Sequence, residues 1–230
     1  MSIIDSASSR PPIARSKEAV GASFDLDAMR YASAQSWRAV ERMAADFKPG
    51  LRESQATARC RKILDALGME RIWHPPQIRF GTNTTKKYNE KSEGDRVLGD
   101  DDIYFVDIGP VFRGHEGDVG ATFTTGSDPE KAACAAAAKT LFDDVSRAWK
   151  ADALSGVSLY DYADKRAREL GWVLNLDIQG HRVSDYPHSV YKGGDLGAFD
   201  RVPVPGVWIL EIQIAHPDKP FGAFYEDLLI

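Results

Sequence analysis

Residues 103–125 read IYFVDIGPVFRGHEGDVGATFTT, and this stretch decides the fold class. Two runs rich in aromatic and β-branched residues, IYFVDIGPVF and GDVGATFTT, stand at hairpin distance with glycines between them, which predicts antiparallel strands. Aspartate is depleted within strands, because its carboxylate competes for backbone groups and fits poorly on a half-buried pleated surface. Asp107 nevertheless follows Ile103, Tyr104, Phe105 and Val106, and Asp118 opens the second run. If the chain reverses near Phe112 to Gly114, the two carboxylates become cross-strand neighbours, near enough to touch one ion. Their repulsion would raise one pKa unless a cation sat between them. Taken alone, the pair also reads as two turn aspartates.

Outward from this hairpin the chain alternates helical and strand patterns. On the N-terminal side, Leu26, Met29, Ala32, Trp37, Val40, Met43 and Ala44 recur as one helix face, and Pro49-Gly50 interrupts it. RESQATARCRKILDAL follows as a second helix ending at Gly68, where a left-handed cap belongs. On the C-terminal side, Asp128-Pro129 reads as a capped helix start, and Ala133, Ala137, Leu141, Val145 and Trp149 share a face. SLYDYADKRAREL forms another helix up to Gly171, and the remainder returns to strands and turns. Two helices then strands, given twice, predict an α+β fold of two similar halves, with helices covering the outer face of a curved antiparallel sheet. Residues 1–16, rich in Ser, Pro and Arg, read as a flexible arm before one domain spanning 17–230.

Composition narrows the function. The chain has 230 residues and a formal net charge of −5, which argues against a broad phosphate-binding surface and so against nucleic acid as a partner. No apolar run approaches the roughly 20 residues of a membrane helix, and the N-terminus lacks a secretory leader pattern. Cys60 and Cys134 stand far apart, outside any C-x-x-C pattern, so neither a disulfide framework nor a zinc knuckle is indicated. The expectation is an acidic cytoplasmic protein.

Three more residues join the aspartate pair. Glu211 is embedded in VWILEIQI, Glu226 in FGAFYEDLLI, and His181 follows Gly180 at the end of LNLDIQGH. Each alone could be a satisfied core or edge residue. Together they make four carboxylates and one imidazole in strand contexts, a donor set for hard divalent ions that the imidazole extends to manganese, cobalt, iron or zinc. Four acids carry enough charge for two ions, and a two-ion site about 3.5–4 Å across can hold a bridging hydroxide for hydrolysis.

The order VDIG, GDVGATFTTG, GH with a following His, ILE and YEDLL resembles the pita-bread metallopeptidases, which include methionine aminopeptidase, Xaa-Pro aminopeptidase and prolidase. The resemblance runs over about residues 25–230, and FGTNTT belongs to it. It implies that Asp107 binds one metal ion, that His181 and Glu211 bind a second, and that Asp118 and Glu226 bridge both. It further implies that Glu211 shuttles the proton of the nucleophilic water and that His188 hydrogen-bonds the scissile amide. The implied activity is exopeptidase or dipeptidase hydrolysis of a peptide with a free N-terminus. Gly81-Thr82-Asn83 leans toward the Xaa-Pro branch, and a homodimer is one assembly left open for this chain.

The chain also departs from the pattern. Tyr88 stands where family members carry a further histidine, so it can donate a hydrogen bond to substrate but cannot act as a cation at neutral pH. Arg182 replaces the glycine after His181, and Ile212 replaces a proline after Glu211. A non-catalytic pita-bread module that binds peptide or protein is therefore the alternative, and a metal-free creatinase-type hydrolase ranks third. Trp37, Trp149 and Trp172 read as core or interface aromatics. His74 in WHPP and His216 in HPDKP read as loop residues, His115 in GHEG as an exposed hairpin tip, and KKYNEKSEGDR as a solvated loop.

Overall fold

A computed structural model describes residues 17–186 and 194–230. The N-terminal arm and His188 lie outside the described residues. Among the described residues four α-helices and eight strands follow in the order α1 (Leu26–Asp46), α2 (Glu53–Ala66), β1 (Arg71–Phe80), β2 (Ile103–Phe112), β3 (His115–Glu116), β4 (Val119–Thr124), α3 (Pro129–Asp152), α4 (Gly156–Glu169), β5 (Val173–Leu174), β6 (His181–Arg182), β7 (Trp208–Ala215) and β8 (Gly222–Leu228). The strands form one antiparallel sheet in the order β1-β2-β4-β8-β7-β5, with β3 paired to β2 and β6 paired to β7. This is the twice-repeated element order that the sequence predicts.

Local chemistry explains the helix ends. The Asp25 carboxylate accepts the Ala28 N–H at 2.8 Å, and Asp128 accepts from Glu130 and Lys131 ahead of the first-turn Pro129. Such caps satisfy backbone donors that the helix itself leaves open. The fourth helix begins earlier than Ser158 because Ser155 is the cap, its hydroxyl accepting the Ser158 N–H. On α3 the buried stripe runs through Cys134, Ala137, Ala138, Leu141, Val145 and Trp149, while Ala133 faces solvent.

Strand alternation divides the sheet into two faces. Tyr104, Val106 and Ile108 of β2 pack with Val40, Met43, Cys60 and Leu64 of α1 and α2. Leu210, Ile212 and Ile214 of β7 pack with Leu141, Val145, Leu159 and Ala163 of α3 and α4. Each helix pair therefore covers one half of the sheet on the same side. The intervening residues, Asp107 on β2, Glu211 on β7 and Glu226 on β8, face the other way. Trp149 lies in the core, Trp172 packs at 5.7 Å on His216, and Trp37 stacks on Tyr225 and donates to Asp227.

Two histidines differ from expectation. His115 is buried on β3 rather than exposed, because the turn is only Arg113-Gly114 and the entry to α1 closes over it. Both turn residues have positive φ (52° and 66°), the geometry of a tight type I′ hairpin. The His115 Nε2 accepts the Asp25 N–H at 2.9 Å while Nδ1 donates to the Arg113 carbonyl. His74 is also not a loop residue but lies buried inside β1. The two prolines after it fit because β1 is the sheet edge, where missing N–H donors are tolerated. His216 does lie in a loop, its Nδ1 accepting the Asp218 and Lys219 N–H groups.

Candidate metal centre

Register brings the acids together. On the open face, Asp107 pairs with Gly120, Gly120 with Glu226, and Glu226 with Glu211. Three carboxylates thus lie in one row across four neighbouring strands, two of them directly opposite each other. Like charges so placed destabilise a sheet. Asp118 immediately precedes β4. The β2 register sets Ile108 against Val119 and Val111 against Glu116, so Asp118 falls opposite Gly109, diagonal to Asp107 rather than facing it.

Two imidazoles complete the cluster. His181 Nε2 lies 2.9 Å from Asp118 Oδ2, and His74 Nε2 lies 3.0 Å from Asp118 Oδ1 and 3.5 Å from Asp107 Oδ1. The Gly180 N–H donates to Glu211 Oε2 at 2.9 Å. Gly180 holds φ 68°, and a Cβ there would stand 2.3 Å from the Ile209 carbonyl oxygen, so this approach needs glycine. Tyr160 supports the same strand from below, donating to the Glu211 carbonyl at 2.9 Å.

Burial governs the electrostatics. Desolvation, with repulsion from Asp118, pushes Asp107 up to about 6 although His74 opposes it. Desolvation, with Asp118 and Asp107, pushes Glu211 up to about 7 against the pull of His181. Glu226 is driven well above the usual carboxylate range by burial and then by Asp118, Asp107 and Glu211. Burial would also raise Asp118, but the two imidazoles outweigh it and hold it low. Burial disfavours the cationic form of both histidines. The facing carboxylates win, lifting His74 to about 9 and His181 to about 10.

Asp107 and Glu226 share a side-chain hydrogen bond, and among the described residues the Asp107 Oδ1 has beyond it only the His74 ring at 3.5 Å, so the buried acids lack enough positive partners. Clustered buried carboxylates are costly, and a divalent cation would offset their charge. Two groups, His74–Asp107–Asp118 and Asp118–His181–Glu226, have donor atoms within 4.8 Å of one another. The residues present therefore fit divalent ions.

All five of Asp107, Asp118, His181, Glu211 and Glu226 line one cleft of about 420 Å³. Tyr88 and Arg182 line it too. Tyr88 is half exposed at 51%, and Arg182 is buried among the charges of Glu116, Asp185 and Glu18. His74 is the residue that sequence reading left outside the site. A histidine before Pro-Pro carries no strand signal, so nothing local pointed to it.

A curved antiparallel sheet with two helix pairs on its outer face and an acidic cleft on its inner face defines the pita-bread class of fold. The family model for metallopeptidase family M24 matches residues 27–230, and the chain belongs to that family. Solved structures agree on the fold. An X-Pro aminopeptidase from Thermotoga maritima superposes with TM-score 0.72 at 18% identity, over 87% of this chain and 56% of that one. A prolidase from Pyrococcus furiosus gives TM-score 0.71 at 17% identity, over 88% and 59% respectively. The chain thus spans less than two thirds of the length of either relative. A methionine aminopeptidase from Thermotoga maritima gives TM-score 0.67 at 14% identity, over 87% of this chain and 90% of that one. A search among curated proteins finds no match. Among the described residues no helix is long and apolar enough to cross a membrane.

Proposed function

We propose that this chain is a dinuclear metal-dependent exopeptidase that cleaves the N-terminal peptide bond of its substrate, with residues 17–230 acting as a single catalytic domain in the cytoplasm. The observation that carries the reading is the convergence of four carboxylates and His181 on one cleft. Asp107, Asp118, His181, Glu211 and Glu226 would hold two ions from among manganese, cobalt, iron and zinc. Such ions supply Lewis acidity at the scissile carbonyl and make water a competent nucleophile near neutral pH.

The remaining work falls to the chain's own groups. Glu211 lines the cleft, where its carboxylate can accept a proton from the attacking water and return it to the leaving amine. The Gly180 N–H holds one Glu211 oxygen in place for that transfer. Tyr88, at the cleft lining, can donate a hydrogen bond to the substrate backbone. His188 is proposed as the donor to the scissile amide on the family resemblance alone. The carboxylate-rich cleft suits a substrate with a free ammonium group, and Gly81-Thr82-Asn83 favours the Xaa-Pro branch.

The test is hydrolysis of Met-Ala and Ala-Pro peptides by metal-free protein resupplied with each of the four ions. Turnover that requires an ion and disappears in Asp118→Ala supports the peptidase, and preference for Ala-Pro supports the branch. Two bound equivalents without turnover on a broad peptide panel would replace this reading with the non-catalytic binding module.

A further inference from the structure

We infer that His74 is a sixth metal ligand, placing an imidazole on the Asp107 side of the centre so that each half of the site carries one histidine. The inference rests on the metal-centre reading above and extends it to a residue outside the expected ligand set.

His74 repeats the construction of His181. Their Nε2 atoms approach opposite oxygens of the same carboxylate, Asp118 Oδ1 at 3.0 Å and Oδ2 at 2.9 Å. Each Nδ1 lies near the carbonyl oxygen of the following residue, Pro75 at 3.0 Å and Arg182 at 3.2 Å. Donation from Nδ1 to a carbonyl fixes the tautomer that leaves Nε2 as the ligand atom, the usual arrangement of metal-binding histidines. The two donor groups are likewise matched: each holds one histidine and one private carboxylate, and Asp118 belongs to both.

The fold is built to aim this ring. The β1–β2 register slips between Ile72 and His74 and again between His74 and Gln77, and such bulges redirect side chains. Opposite stands Gly109, where a Cβ would come within 2.1 Å of His74 Cδ2. Trp73 packs steeply inclined to both rings, 4.6 Å from His74 and 5.4 Å from His181 between centroids. Without His74, the Asp107 side would offer carboxylate oxygens only, a set for hard ions. An added imidazole moves that side toward zinc, cobalt or iron.

Calorimetric titration of the metal-free protein with Zn²⁺ and Co²⁺, with X-ray absorption of the zinc-loaded protein, tests this. The wild-type chain is expected to take two zinc ions with two imidazoles between them. His74→Gln and His74→Ala should each weaken one ion by at least about tenfold and leave one imidazole for two zincs. His216→Gln, on a loop outside the cleft, should change neither reading. Two zincs with a single imidazole in the wild type, or variants with unchanged affinity and imidazole count, overturn the assignment of His74 alone. If the variants fail to fold, the wild-type imidazole count decides. A wild-type chain that binds neither ion overturns the metal-centre reading itself, and His74 with it.

Discussion

Raising the pH should weaken the metal-free fold, and His74 sets the scale. Its folded pKa lies at about 9 against an ordinary 6.5, so between these values the folded state holds a proton that the unfolded state has released. Stability falls with pH wherever the folded state binds more protons. The His74 contribution is therefore complete below pH 6.5 and lost above about 9. At about 1.4 kcal/mol per pH unit it amounts to about 3 kcal/mol, a large share of the roughly 5–15 kcal/mol that holds a typical domain together. For a chain of this length that corresponds to a drop in Tm of about 6–12 °C. His181, Asp107, Glu211 and Glu226 are all raised and act in the same direction, each in its own window, whereas Asp118 is held low and has lost its proton well below this range. Urea unfolding of chelator-treated protein at pH 6, 7.5 and 9, followed by tryptophan fluorescence, measures the slope. His74→Gln should lose about half of the decline above neutral pH, His181 supplying the rest. A wild-type stability that stays flat from pH 6.5 to 9, or an undiminished decline in His74→Gln, would refute the electrostatic reasoning.

Ions should displace the protons on the two imidazoles, so zinc binding should release protons and tighten as pH rises from 6 to 8, which calorimetry in buffers of different ionisation enthalpy reads directly. Gly109→Ala should destabilise the chain by about 1–3 kcal/mol in urea melts and displace the His74 ring, since a Cβ would enter both His74 and Trp73. Tyr160→Phe removes the hydroxyl that both donates to the Glu211 carbonyl and accepts the Glu211 N–H, and should cost about 1–3 kcal/mol by the same measurement. Cys60 and Cys134 are buried, with thiols pushed up to about 12, so both should resist a thiol reagent at pH 8 until the chain is unfolded.

What was legible in the chain was what local pattern encodes. Asp107, Glu211 and Glu226 stood out because each interrupts an apolar strand, and the period of two places each on the face opposite its packed neighbours. The helices were legible from apolar spacing and caps such as Asp128-Pro129, the differences being that α4 starts after the Ser155 cap rather than near Ser158 and that Ala133 faces solvent. The halves repeated in element order, which foretold the two helix pairs on one face.

Tertiary structure decided which of these residues meet. Glu226 faces Glu211 because β8 pairs with β7, and it shares a row with Asp107 because β4 lies between β8 and β2. Spacing along the chain sets the face on which a side chain stands, but strand order sets its neighbours. His74 entered the site through a bulge on an edge strand, and His115 left the solvent because a distant segment closed over a two-residue turn. Neither event has a local signature, since each depends on contacts between parts of the chain far apart in sequence.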